Sequence, residues 1–341
     1  MLLPPGQGKL RELNTSYTRF HLLLQDLGEN RFSGYLRLSF WGYEGVLIFD
    51  TGKIVQASSS EREVYLTGEQ AVLRLVQKAQ EPDGSLDVFG LSNEVALALA
   101  LGIQARLYKS SQELAGKTIT DLLEIMEVEA LTGYMDLQFN QKRGLGTIYY
   151  LEGTPVESVI MSHTGRIASG SAVYSRFLEL GGNIQFSAEI YQTRNPKTIQ
   201  EEEAFLIPWQ QPRYVQFWTA VLAYWDELMK SRLKRGDFFY ALAQAMEQLK
   251  DDYSFFRLGE GEFQLTDGRL TVRALLSNKE FIQGMAQAVA HTLKPVPSRR
   301  LRKVDWKLVE KELARLAEQY GVKNERFQPG TWIQLILESR V

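Results

Sequence analysis

Apolar positions in the first 200 residues repeat one order of elements twice. A leucine-rich run from Phe20 to Leu27 predicts an opening helix, and Ser33-Gly34-Tyr35-Leu36-Arg37-Leu38 predicts a strand with partial alternation. Val46 to Phe49 is a short, continuous β-branched and aromatic run, as in a strand buried on both faces, and Asp50-Thr51-Gly52 supplies a turn after it. Ala71, Val72, Leu75 and Val76 recur at helical spacing, and Gly84 to Phe89 closes the unit as a last strand. The same order returns as Ile119 to Met126, Thr132-Gly133-Tyr134-Met135-Asp136-Leu137, Ile148 to Leu151 and Glu152-Gly153. It ends with the helical face Ala172, Val173, Phe177 and Leu178 and a closing strand from Gly182 to Phe186. The offset is 99 at the first strand and 101 at the next, so the second copy's hairpin is expected to be two residues longer. Each copy reads as a small antiparallel sheet with flanking helices.

Between the copies, Val95 to Leu101 alternates like a strand. Its alanines and leucines favour helix, and Ser92 or Asn93 offers an N-cap, so a joining helix is expected. Residues 195–212 read as a linker, with Glu201-Glu202-Glu203 as a solvated helix face. The last third differs in kind. Phe217, Trp218, Val221, Leu222, Trp225, Leu228 and Met229 mark one helical face; Phe238, Leu242, Met246 and Leu249 mark another. Asp267-Gly268 between apolar pairs is a hairpin signal. Phe281, Ile282, Met285 and Val289 mark a third helix. Asp305 caps a fourth, faced by Leu308, Val309, Leu313, Leu316 and Tyr320 and ended by Gly321. The expected class is α+β: two tandem small antiparallel-sheet modules with flanking helices, then a mainly helical domain with one β-hairpin. The expected divisions are a tail over 1–15, a module with its joining helix over 16–108, a second module over 109–194, the linker, and a helical domain over 213–341.

The repeated order resembles the PATAN domain of bacterial signalling proteins. The resemblance rests on the leucine helix, the Gly34-Tyr35-Leu36 and Gly133-Tyr134-Met135 strands, the Gly45 to Gly52 and Gly146 to Gly153 hairpins, the helix after Gly68 or Gly170, and the final strand. It covers nearly half the chain. The first copy fits better, because the second has Thr154, Pro155 and Ser158 where the first has Lys53, Ile54 and Ala57. What the resemblance implies is a protein-interaction module used in motility, polarity or developmental control, with no catalytic residues to carry over. Members are commonly joined to receiver domains. None is found here, since Asp251-Asp252 follow a helix and precede a hairpin.

Composition narrows the chemistry. Cysteine is absent, which excludes disulfides, thiol nucleophiles and cysteine zinc sites, and the three histidines lie far apart at 21, 163 and 291. No metal or cofactor is expected. The longest apolar stretch, Val95 to Leu101, is far below the ~20 residues that span a bilayer, and no targeting segment is read at the N-terminus. A cytoplasmic protein without a membrane span is expected. The net charge of −2 hides an asymmetry: from Arg213 onward lie 21 of the 39 basic and 16 of the 41 acidic residues, a net of +5 against −7 before it.

Few positions suggest sites. Trp41-Gly42-Tyr43 stands at the first hairpin tip, where Trp and Tyr suit a partner-binding hot spot. Ser58, Ser59 and Ser60 are taken as a loop equivalent to Ser162-His163-Thr164, a polar rim for a partner. Arg299, Arg300, Arg302 and Lys303 form a basic cluster fit for nucleic acid or an acidic partner. Gly6-Gln7-Gly8-Lys9 lacks the hydroxyl residue and preceding strand of a phosphate loop. The leading expectation is a non-catalytic cytoplasmic signalling adaptor of bacterial type that binds protein partners, its C-terminal domain serving homodimerisation or a second partner. The alternative is a nucleic-acid-binding regulator using the basic C-terminal third. An enzyme would need Asp50, Glu152 and Glu157 to converge.

Overall fold

The computed structural model describes residues 1–139, 144–181, 185–194, 205–206, 211–257, 263–266, 268–273, 275–322 and 327–339. The chain forms two compact units, Met1–Glu202 and Glu203–Val341.

The first unit holds two six-stranded antiparallel sheets. The first sheet comprises β1 (Gln7–Asn14), β2 (Gly34–Phe40), β3 (Tyr43–Asp50), β4 (Lys53–Glu61), β5 (Val64–Thr67) and β6 (Ser85–Gly90), in the order β1-β6-β2-β3-β4-β5. The second comprises β7 (Arg106–Lys109), β8 (Gly133–Phe139), β9 (Gly144–Leu151), β10 (Thr154–Met161), β11 (Ile167–Ser169) and β12 (Phe186–Gln192). Its order, β7-β12-β8-β9-β10-β11, is the first sheet's order strand for strand. Helices α1 (Phe20–Glu29) and α2 (Gly68–Lys78) belong to the first copy, and α4 (Ile119–Val128) and α5 (Ser171–Gly181) to the second. The longer second hairpin is present. Phe40 pairs with Tyr43 across a two-residue tip, whereas Phe139 pairs with Gly144; Asn140 to Arg143 lie outside the described residues.

Local chemistry repeats with the topology. Thr51-Gly52 and Glu152-Gly153 take matching positive φ pairs, 50° and 80° against 49° and 81°, the backbone of a tight hairpin turn. Gly52 N–H donates to Phe32 O at 2.7 Å and Gly153 N–H to Leu131 O at 2.8 Å, tying each turn to the loop after the opening helix. A Cβ on Gly45 would come within 2.9 Å of Leu75 on α2, and one on Gly146 within 2.6 Å of Phe177 on α5. These glycines let each helix lie close on its central strand. The strands themselves are buried from Gly45 to Phe49 and from Gly146 to Tyr150, as expected of runs covered on both faces.

The repeat is longer than the sequence suggested. Residues 1–15, expected as a tail, contain β1, which pairs with β6. Its residues are mostly exposed, its register shifts twice, and Glu12 takes a φ of 55°, so no period-2 pattern marks it.

The joining helix α3 (Asn93–Ile103) is the centre of the unit. Ser92 caps it, its Oγ accepting from Val95 N at 3.3 Å. It packs against β2, β3 and β4 on one side and β8, β9 and β10 on the other. Ala96, Ala98, Leu99 and Ala100 share one core with Tyr35, Val46, Ile48, Val55 and Phe89 of the first sheet and Tyr134, Tyr149 and Val159 of the second. A helix apolar on all sides is a buried helix, and small alanines let two sheets approach it. The extended N-terminal residues run along the same layer. Leu2 N donates to Thr147 Oγ1 at 2.9 Å, Tyr149 OH donates to Leu2 O at 2.6 Å, and Tyr35 OH donates to Pro4 O at 2.8 Å. The outer face of the second sheet has its own core, where Met135, Leu137, Ile148 and Ile190 meet Leu122, Met126 and Phe177 of α4 and α5.

The second unit is mainly helical. It contains α6 (Pro212–Ser231), α7 (Phe238–Gln248), α8 (Asn278–Leu293), α9 (Ser298–Leu301), α10 (Trp306–Gln319) and α11 (Pro329–Glu338). Strands β14 (Phe263–Thr266) and β15 (Arg269–Val272) form the expected hairpin, with Gly268 at φ 75° and Asp267 outside the described residues. The aromatic face of α6 forms the core: the Trp218 ring lies 5.2 Å from Phe281, 5.4 Å from Phe327 and 5.5 Å from Trp332. Asp305 caps α10 through Lys307 N and Leu308 N, as expected. Two expectations change. Four helices become six among the described residues, because α9 is one turn long and α11 begins on a proline. The stretch taken as linker carries β13 (Phe205–Leu206), which pairs with β16 (Leu276–Ser277). Two residues are too few to leave a sequence period. Glu201 to Glu203 lie outside the described residues.

Candidate interaction surface

Trp41 is fully exposed at the β2–β3 tip. Tyr43, two residues on, is not at the surface: it is 4 % exposed and belongs to the core. The alternation of a strand explains the split, since β3 begins at Tyr43 and turns that ring inward over Gly45, edge-on to Phe40 at 6.2 Å. Burial pushes the Tyr43 hydroxyl up to about 12, against the opposing pull of Arg74.

Ser58, Ser59 and Ser60 do not form a loop. They lie in β4, opposite Val46, Gly45 and Glu44 of β3 and opposite Thr67, Leu66 and Tyr65 of β5. Ser59 is buried, Ser58 half-buried and Ser60 exposed. The second copy's loop Ser162-His163-Thr164 matches Glu61-Arg62-Glu63 instead, because β4 and β10 each run on before turning. Three small polar side chains carry no strand pattern of their own, and pairing to β3 and β5 on both flanks holds the strand.

The rim beside Trp41 is built by β5. Arg62 N–H donates to Gly42 O at 3.3 Å, so the β4–β5 turn touches the Trp41 tip. Val64 and Tyr65, each 59 % exposed, continue along that edge. A groove of about 640 Å³ beside them is lined by Ser59, Glu61, Arg62, Glu63, Val64, Leu66 and Arg74. Glu61 bonds to Arg74 and lies 3.3 Å from Lys78, and these partners hold its carboxyl below the usual range. Val64 and Tyr65 were missed by sequence reasoning, although a short β-branched and aromatic run after Glu61-Arg62-Glu63 is a strand signal.

Of the carboxylates of an enzymatic reading, Asp50 ends β3 of the first sheet and Glu152 lies in the turn after β9 of the second. Glu157 Oε1 accepts from Ser158 N at 2.7 Å and Gly170 N at 2.8 Å, and Gln56 takes the matching role with Ala57 N at 2.9 Å. Among the described residues no group of His, Asp and Glu is arranged to hold a metal ion, and no helix is long and apolar enough to cross a membrane.

The basic cluster lies in and after α9. Arg299, Arg302 and Lys303 are exposed. Arg300 is half-buried and donates from Nη1 to Leu233 O at 2.9 Å, beyond the C-terminus of α6.

Against known proteins, one family model matches residues 2–101: an uncharacterized protein conserved in archaea (DUF2226). The match ends within α3, so it takes in the first sheet and most of the helix shared with the second. It overturns the resemblance to the PATAN family, and the bacterial signalling assignment drawn from that resemblance goes with it. The motif order shared by the two copies is a property of small antiparallel sheets with tight turns and did not discriminate between families. No curated protein and no solved structure matches the chain.

Proposed function

We propose that the protein is a non-catalytic adaptor that binds a protein partner at the edge of the first sheet. The observation that carries this reading is the fully exposed Trp41, held on a two-residue hairpin tip beside the exposed Val64 and Tyr65 of edge strand β5. A large aromatic side chain on a rigid tip gives contact area at low entropic cost. An open sheet edge offers backbone groups for an added strand. The equal build of the two sheets around α3 supports a scaffold that presents one such edge in a fixed orientation. The C-terminal helical unit is assigned a separate binding role.

Affinity capture from the native host, with the full chain and with Trp41→Ala and Tyr65→Ser variants, tests the reading. A protein retained by the native chain and lost from both variants is the expected result. Retention of the same proteins by all three chains overturns it, as does turnover of a small molecule by the purified protein.

A further inference from the structure

The C-terminal unit carries two cation-rich stretches far apart in sequence, residues 230–235 and 294–303. The Arg300 Nη1 to Leu233 O bond of 2.9 Å brings them to one corner. Arg232, Lys234, Arg299, Arg302 and Lys303 are exposed there. Two cations of the first stretch, Lys230 and Arg235, are matched by acidic neighbours, and Asp305 is used as a helix cap. Asp226 pairs with Lys230 at 2.6 Å, Asp237 pairs with Arg235, and Asp305 Oδ1 accepts from Lys307 N and Leu308 N. Glu312, whose charge reaches Tyr224 together with that of Arg232, is held by Arg315 at 2.6 Å.

The backbone beneath these charges is anchored. Leu233, Val296, Leu301 and Val304 are all buried in the core of the unit. Five cations with few competing anions, fixed on a packed backbone, form a preorganised positive surface. Neither stretch contains an aromatic residue. Single-stranded nucleic acid is held largely by stacking on aromatic rings; the nearby Tyr224 and Trp306 are half-buried and the exposed charged groups of both stretches are cations, so the corner fits a regular line of phosphates. We propose that this corner binds the phosphate backbone of a nucleic-acid duplex without reading its base sequence. It is a second binding function, on a different unit from the Trp41 edge.

Fluorescence anisotropy with the full chain and labelled DNA and RNA duplexes tests this. Neutralising about four phosphates predicts affinity falling roughly 100-fold between about 50 and 200 mM salt. Arg299→Glu/Arg302→Glu/Lys303→Glu and, separately, Arg232→Glu/Lys234→Glu should each weaken binding by at least about tenfold, while Arg176→Glu in the first unit changes nothing. Comparison of the DNA and RNA arms identifies which duplex is preferred. No binding at about 50 mM salt overturns the proposal, and so does binding to anionic phosphatidylserine vesicles with none to either duplex. An unchanged affinity in the Arg232→Glu/Lys234→Glu chain overturns the joint corner, and partner capture through Trp41 is unaffected by any of these outcomes.

Discussion

Leu99→Ala is the substitution that most directly tests whether α3 welds two sheets into one unit. Leu99 is fully buried in a core drawn from β2, β3, β4 and β6 on one side and β8, β9 and β10 on the other. Truncating a buried leucine removes its transfer energy and leaves a cavity, costing about 2–5 kcal/mol. Taking roughly 3 kcal/mol, a unit of this size should melt about 6–12 °C lower. Native-state hydrogen exchange locates the loss. Amides that open only with the whole unit should exchange roughly 100-fold faster in the variant, in β3 and β9 alike. The C-terminal unit should keep its protection and serves as an internal reference. Leu97→Ala, on the exposed side of the same helix at 37 % exposure, should cost under about 1 kcal/mol. Faster exchange in only one of the two sheets would refute the shared core, as would a loss below about 1 kcal/mol for Leu99→Ala.

Other outcomes follow from the same geometry. Trp41→Ala should leave stability within about 0.5 kcal/mol, whereas Tyr43→Ala should cost about 3–5 kcal/mol; denaturant melts that reverse this order would refute their assigned positions. Thr118 and Asp121 form a reciprocal cap on α4, with Thr118 N–H donating to Asp121 Oδ2 at 2.8 Å and Asp121 N–H to Thr118 Oγ1 at 3.2 Å. Thr118→Ala should therefore cost about 1 kcal/mol, and an unchanged melting curve contradicts that role. Burial raises the Asp87 carboxyl, but the Glu12 amide at 3.0 Å and Arg37 at 2.9 Å outweigh it and leave its pKa lowered. Its stabilisation is present above the ordinary carboxylate range and is lost as pH falls through the depressed folded value. Protection of β1 should drop between about pH 5 and about pH 2, and this drop should be absent in Asp87→Asn. Burial, and then Lys294, lowers the pKa of His291, so its contribution is full above the ordinary histidine value and fades as pH falls through the folded one. The C-terminal unit should be less resistant to denaturant at about pH 5 than at about pH 7, with a smaller difference in His291→Gln.

Several elements were legible because their signals are local. The tandem order, the paired positive-φ turns, the longer second hairpin, the Asp305 cap and the α+β class each depend on neighbours within a few residues. The helix over Val95 to Leu101 was legible too, but not its place. An apolar run states that it will be buried and is silent about what buries it. Edge strands failed for the opposite reason. Those in β1 and β13 are bulged, exposed or two residues long, so pairing with a distant strand makes them and their own side chains do not. Ser58 to Ser60 read as a loop because small polar side chains carry no strand pattern of their own, and pairing on both flanks made the strand. Tyr43 and Trp41 looked alike as a tip pair, and only the start of β3 sent one ring inward and left the other in water. The basic residues near 232 and near 300 were visible as separate charges; one side-chain bond across 67 residues puts them together. Local patterning fixed most of the helices, the central strands and the turns between them. Which surfaces meet, which edges remain open and which charges share a corner were decided by tertiary packing, because those depend on contacts between residues that no local period connects.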